Sequence, residues 1–160
     1  MTPRDPRILL ATSGSDASQQ ATIIAADLAS TFNAQLTIVH VLAPLEYRAA
    51  RLGPTVPIIQ RLDDPLTDQV LLDARRVAWE RGTNARIVLV AGDPGSVITT
   101  ACYDIGADLL VIGHTPRLMP RALAARTRRW VDAHAPCPVL PIAAKPPLRA
   151  RPAVEPVLVT

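Results

Sequence analysis

Residues Asp108 to Ile142 read DLLVIGHTPRLMPRALAARTRRWVDAHAPCPVLPI, and this stretch decides the fold. It opens on a short apolar run, passes Gly113, enters a basic segment with apolar residues at helical spacing, and closes on a second apolar run. That is the layout of a phosphate-binding strand–loop–helix unit, in which backbone N–H groups at a helix start face an anion. Gly113 is nevertheless the last glycine of the chain. Loops that bring backbone close to phosphate usually carry more than one, because only glycine combines close approach with positive φ. The scaffold is plain, and the site departs from the usual pattern.

Working outward, Arg7–Thr12 (RILLAT) reads as a first strand ending at Ser13-Gly14-Ser15. Ser15 is the expected N-cap of a helix whose Ala21, Ile24, Ala25 and Leu28 form one apolar stripe. Gln35–Leu42 (QLTIVHVL) is a second strand, stopped by Pro44. Glu46–Arg61, with Gly53, Pro54 and Pro57, reads as an irregular loop placed to cover part of a pocket. Asp64-Pro65 predicts a helix running to about Arg81, with Leu66, Val70 and Val77 inward and Gly82 as its stop. Ala85–Ala91 is a third strand, and Asp93-Pro94 caps the next helix, whose stripe is Ile98, Ala101, Cys102 and Ile105 and whose end is Gly106.

Asp108–Ile112 then forms a fourth strand, with Gly113 opening a loop that carries His114 and Thr115. A helix from about Arg121 to His134 puts Leu123, Thr127, Trp130, Val131 and His134 on one side, and Pro138–Ala143 is a fifth strand. Residues 146–153 are rich in Pro and Arg, and Val154–Val159 reads as a possible sixth short strand. The chain thus divides into a domain over 1–145 and a C-terminal extension over 146–160. Strands alternating with helices imply an open parallel sheet, Rossmann-like, with helices on both faces. Ligands of such sheets bind at the carboxyl ends of the strands where the strand order reverses. That gathers Ser13, Val41 and the Gly113 loop around one crevice.

Composition agrees. At 160 residues there is room for one full hydrophobic core, and with 49% hydrophobic but 3% aromatic residues that core must be aliphatic. No apolar run approaches the ~20 residues of a membrane span. The start, MTPRDPRILL, lacks the apolar segment of a signal peptide, so a cytoplasmic location is expected. Cys102 and Cys137 belong to no C-x-x-C and to no cluster with metal-ligand spacing, and read as small core residues. His40 and His134 read as packing or surface residues. From His114 to Arg151 seven Arg and one Lys face Asp132 alone, a net of +7, while the remainder nets −4. Such asymmetry marks either a solvated basic face or a contact for an anion or an acidic protein. Scarce aromatics and the lack of a reader motif make nucleic acid an unlikely partner.

The pieces ILLATSGSDASQQA, LTIVHVL, VLVAGDPGSVITTACYDIGADLLVIG and HAPCPVLPI together resemble the universal stress protein family over Ile8–Ile142. The resemblance implies a five-stranded parallel sheet of order 3-2-1-4-5, a role in stress response, a homodimer and an ATP or AMP ligand. The family's nucleotide motif, G-x-x-G, nine residues, then G-[ST], falls on Gly113, Pro116, Arg126 and Thr127 of this chain. Two of its three glycines are replaced. Pro116 lacks an N–H and the freedom to reach positive φ. Arg126 brings a guanidinium where bare backbone would face phosphate; it either fills that position or binds an anion bidentately.

Ser13 stands where nucleotide-binding members often carry Asp, and Val41 where a backbone contact to adenine is usual. Arg117, Arg121, Arg128 and Arg129 are the remaining anion or partner contacts. Three readings follow: a non-enzymatic regulatory dimer with a degenerate site, a nucleotide or anion binder using Arg126 and Thr127, and, least favoured, a slow ATPase or phosphotransferase. No paired carboxylates for metal ions accompany the loop. The dimer is expected through strand five and the C-terminal tail, although Pro138 and Pro141 must remove N–H groups from opposite sides of that strand.

Overall fold

The computed structural model describes residues 3–42, 68–114 and 121–144, with the side chains of 114 and 121–124 left aside. The elements run β1 (Arg7–Thr12), α1 (Asp16–Phe32), β2 (Gln35–Leu42), α2 (Gln69–Glu80), β3 (Arg86–Ala91), α3 (Pro94–Ile105), β4 (Leu109–His114), α4 (Arg121–His134) and β5 (Val139–Ala143). The five strands are parallel in the order β3-β2-β1-β4-β5, so the strand order reverses between β1 and β4, as the resemblance implied. The expected loop over Glu46–Arg61, the Asp64-Pro65 cap and the sixth strand at Val154–Val159 lie outside the described residues.

Alternation along the strands splits the core into two layers. Ile8, Leu10, Leu36 and Ile38 face α1 and α2, whose Ala21, Ala25, Ala29, Leu71, Ala74 and Ala78 cover them. Leu9, Ala11, Val39 and Leu110 face α3 and α4, covered by Ile98, Cys102 and Val131. Burial on both faces is what makes these strands near-continuous aliphatic runs.

Local signals account for most helix ends. Ser15 caps α1 by accepting from Ser18 N–H, and Asp93 caps α3 by accepting from Ser96 N–H, with Pro94 at the first helical position. Gly106 ends α3 in the left-handed conformation, at φ 61°. Two arginines complete that end: Arg7 Nη1 donates to Ile105 C=O at 2.8 Å and Arg4 Nη1 to Gly106 C=O at 3.1 Å, satisfying carbonyls the helix leaves without partners.

Some details differ from the sequence reading. Asp68 caps α2 as described, and its inner face is Leu71, Ala74 and Ala78, with Val70 and Val77 only half-buried. The buried stripe of α1 consists of Ala17, Ser18, Ala21, Thr22, Ala25, Ala26 and Ala29, while Ile24 and Leu28 sit at its margin. A face of such small residues lets α1 lie close to the sheet. β4 continues through Gly113 and His114, which pair with Ile142 and Ala143, so neither is a loop residue. Of the described side chains in the stripe expected on α4, Val131 is fully buried, Thr127 half-buried, and Trp130 and His134 exposed. Trp130 lies over Gly95 of α3, where an added Cβ would meet its ring at 3.0 Å, and the exposed His134 stacks on the indole at 4.0 Å.

The prolines near β5 sort cleanly. Leu110 pairs with Val139 and donates its N–H to Pro138 C=O at 3.0 Å. Backbone groups of residues 138, 140 and 142 therefore face β4, and those of 139, 141 and 143 face outward. Pro138 precedes the strand, and the N–H that Pro141 lacks belongs to the free edge, so Pro141 costs the sheet no ladder bond.

Replacing Asp93 with Ala removes an acceptor for both the N–H and the hydroxyl of Ser96. Stability is expected to fall by about 1 kcal/mol, read as a lower urea midpoint at unchanged slope.

Candidate functional site

The carboxyl ends of β1, β2 and β4 meet at the strand-order reversal. The pairings Thr12↔His40 and Ala11↔Ile112 bring Ser13, Val41 and Gly113 to one rim, as their sequence positions implied. Gly113 is fixed there by packing. A Cβ at this residue would stand 2.6 Å from Ser18 N, 2.7 Å from Ser18 Cα and 2.8 Å from Ala17 C. All three are backbone atoms of α1, which cannot swing aside as a side-chain tip would. Glycine is required here so that the first turn of α1 can rest on β4, whatever occupies the crevice.

Ser13 is equally engaged. Its N–H donates to Ser18 Oγ at 3.1 Å, its hydroxyl to Ser15 Oγ at 3.2 Å, and the Ser13 and Ser18 hydroxyl oxygens lie 3.0 Å apart. Ser15 Oγ donates to Ser18 Oγ at 3.1 Å and accepts from Ser18 N–H at 3.2 Å. The hydroxyls thus form a ring that ties the end of β1 to the start of α1. Ser15 and Ser18 were legible only as a cap and a helix residue; the S-x-S-x-x-S spacing is the signal that places all three at one helix start.

Arg126 and Thr127 lie in the second turn of α4, not at its amino end. Thr127 is half-buried, and Arg126 and Arg129 are exposed. Arg128 is neutralised one turn on, its Nε donating to both carboxylate oxygens of Asp132 at 2.8 Å. Arg126 forms no ion pair among the described residues. Arg121 begins the helix, while Pro116 and Arg117 fall outside the described residues. The structure therefore brings Ser13, Val41 and Gly113 together and sets Arg126 and Thr127 on the helix that follows β4.

A second polar pair was not legible in the sequence. His40, on the α1–α2 side of β2, has Nδ1 3.0 Å from Asp68 Oδ2 and 3.1 Å from Oδ1. A carboxylate only accepts, so Nδ1 carries the hydrogen. Asp68 Oδ1 also accepts Leu71 N–H at 2.9 Å. One nearly buried carboxylate thus caps α2 and orients His40; a separation of 28 residues leaves no local pattern to find. Among the described residues no group of His, Cys, Asp and Glu could hold a metal ion, and no helix is long and apolar enough to cross a membrane.

The sequence profile described as the universal stress protein family matches residues 6–142. The chain belongs to the universal stress protein family. It is 28% identical over 131 residues to the stress response protein NhaX of Bacillus subtilis, across 67% of this chain and 78% of that one. A universal stress protein solved in complex with cAMP superposes with a TM-score of 0.64 at 22% identity, covering 88% of this chain and 98% of the other. The Archaeoglobus fulgidus universal stress protein in complex with dAMP gives 0.61 at 20% identity, covering 87% and 98%. These likenesses establish the fold, and the family establishes a stress-response protein.

Replacing Gly113 with Ala is expected to destabilise the chain by about 2 kcal/mol or more, the scale of an overpacked core. The measurement is urea unfolding monitored by circular dichroism. A variant as stable as the parent would show that the first turn of α1 does not rest on this glycine.

Proposed function

We propose that this chain is a regulatory, non-enzymatic universal stress protein of the cytoplasm, acting as a homodimeric interaction module with a degenerate adenine-nucleotide site. One observation carries the reading. Gly113 and Ser13, which sit at the positions of a family glycine and a frequent family Asp, are both committed to holding α1 against the sheet. Each is accounted for by the fold without a ligand. Pro116 and Arg126 replace the glycines that would let backbone N–H groups reach phosphate. The exposed Arg126 and Arg129 of α4 supply a contact for an acidic partner, with Arg117 and Arg121 close by in sequence.

A second reading, binding of ATP, AMP or another anion through Arg126 and Thr127, is favoured by one feature. Arg126 is exposed and without an ion pair among the described residues, while its neighbour Arg128 is satisfied by Asp132. Solved relatives carry cAMP and dAMP.

Calorimetric titration with ATP and with AMP separates the two. The degenerate site gives no binding heat at millimolar nucleotide, and mass spectrometry of freshly purified protein finds no stoichiometric adenine nucleotide. The double variant P116G/R126G restores the glycine pattern and is expected to gain ATP binding. Stoichiometric nucleotide on the parent protein would overturn this reading in favour of the second.

The dimer is assigned to the outer edge of β5 together with the tail, residues 150–160. Pro141 removes a donor from that edge, so P141V is expected to tighten the dimer several-fold in sedimentation equilibrium. An unchanged dissociation constant would place the contact away from β5, and an unchanged dimer after deletion of residues 150–160 would remove the tail from it.

A further inference from the structure

The first helix keeps its bulkiest apolar side chains off its own seat. The buried face of α1 is made of Ala, Ser and Thr, whereas Ile24 and Leu28 are half-buried and Phe32, the chain's one phenylalanine, is 63% exposed. These three recur at i, i+4 and i+8, so they form one row along the helix, with no charge in it. The row lies on the flank turned away from α2. The other flank meets the end of that helix: Ala26 C=O accepts from Thr83 Oγ1 at 3.1 Å, and a Cβ on Gly82 would stand 3.6 Å from Ser30 Oγ. Ala26 and Ser30 each stand two residues from Leu28, about 200° around the helix.

On the side of this row, α1 packs against β5, the last strand of the sheet. Leu140 and Ile142 pack against the core under α1 and stay only partly buried. An apolar seam therefore runs along the open edge of the sheet, between the flank of α1 and β5. Among the described residues no helix or strand lies beyond it.

We propose that this seam is the docking groove of the chain's own C-terminal segment, Val154–Val159, which lies outside the described residues. The chain leaves β5 at Ala143, on that edge. Residues 144–153, AKPPLRARPA, are rich in Pro and Arg, and VEPVLV then supplies four apolar side chains and one charge, Glu155. The segment and the seam each hold apolar surface in water when apart, and docking removes both from it. The lengths agree. Crossover helices run antiparallel to the strands, so β5 ends beside the start of α1. The ten residues 144–153 reach up to about 33 Å, ample for a reversal of direction. Ile24 to Phe32 spans about 12 Å of helix, and six extended residues cover about 20 Å. A segment running back along the edge thus passes the whole row. Side-chain burial, not strand pairing, carries the contact, because Pro156 has no N–H and Pro141 offers none from the outer edge of β5. The docking is within one chain and goes beyond the proposed dimer, since it needs no second copy.

The test is hydroxyl-radical footprinting of the whole protein, read residue by residue by mass spectrometry. V157D/L158D, which keeps the full length, and a chain lacking residues 154–160 are labelled beside it, across a dilution series whose monomer fraction is followed by sedimentation. Labelling of Leu28 and Phe32 is expected to rise several-fold in both variants, at every monomer fraction. Trp79, exposed on α2, should label equally in all three and so report an intact fold. Equal labelling of Phe32 in parent and variants would overturn the proposal. So would protection of Phe32 that fades as the protein is diluted to monomer, which would give the seam to a second copy. Protection that persists in a chain found to be monomeric throughout would support the docking while removing the dimer.

Discussion

The contact on which this structure depends is the seating of the first turn of α1 against Gly113. The backbone of Ala17 and Ser18 comes so near β4 that no Cβ fits between them. Everything at the strand-order reversal follows from that distance. The buried face of α1 is nearly all Ala, Ser and Thr because a larger side chain would lift the helix off the sheet. The hydroxyl ring of Ser13, Ser15 and Ser18 closes because the end of β1 and the start of α1 are held within hydrogen-bond reach. The tight turn between them runs through Gly14 at φ 76°, whose missing side chain leaves room for Val70 of α2. A single close approach thus fixes a helix face, a turn and a polar cluster.

The sequence displayed the parts of the fold governed by short-range rules. The strands, Ser15 and Asp93 as caps, Gly106 as a left-handed stop and the whole span of α4 were legible from local pattern and cap chemistry. Features set by distant residues were not. The end of β4 was misplaced because Gly113 has the composition of a loop; its role as a strand residue comes from pairing with Ile142 and packing under α1. Of the stripe read for α1, Ala21 and Ala25 are buried while Ile24 and Leu28 are marginal, since apolar size dominates a periodicity reading and the packing selects small residues. The His40–Asp68 pair and the packing of Cys102 and Cys137 in one apolar cluster join elements whose adjacency exists only after the sheet has formed.

The candidate site was partly legible in the same sense. Ser13, Val41 and Gly113 converge because parallel strands in this order must end together. What pattern matching could not supply is the reason each residue is there. Arg126 and Thr127 hold the register of a phosphate motif but ride in the second turn of α4, away from the free N–H groups of its first turn. A cation on that helix face meets an anion as a side-chain charge, partly screened by solvent, and not as a cradle of aligned backbone donors.

A glycine kept for packing and a glycine kept for a phosphate look identical in a sequence. In this chain the two roles separate. Gly113 is the one motif glycine that the fold itself requires, and it is the one retained; the positions of the other two hold Pro116 and Arg126. The presence of Gly113 therefore carries no weight as a sign of nucleotide binding. The same logic runs along β5, where Pro141 is accommodated because its missing N–H faces outward, away from β4. In both places the bonding and packing of the sheet decide what the position tolerates: Gly113 because α1 rests on it, Pro141 because its nitrogen faces away from β4.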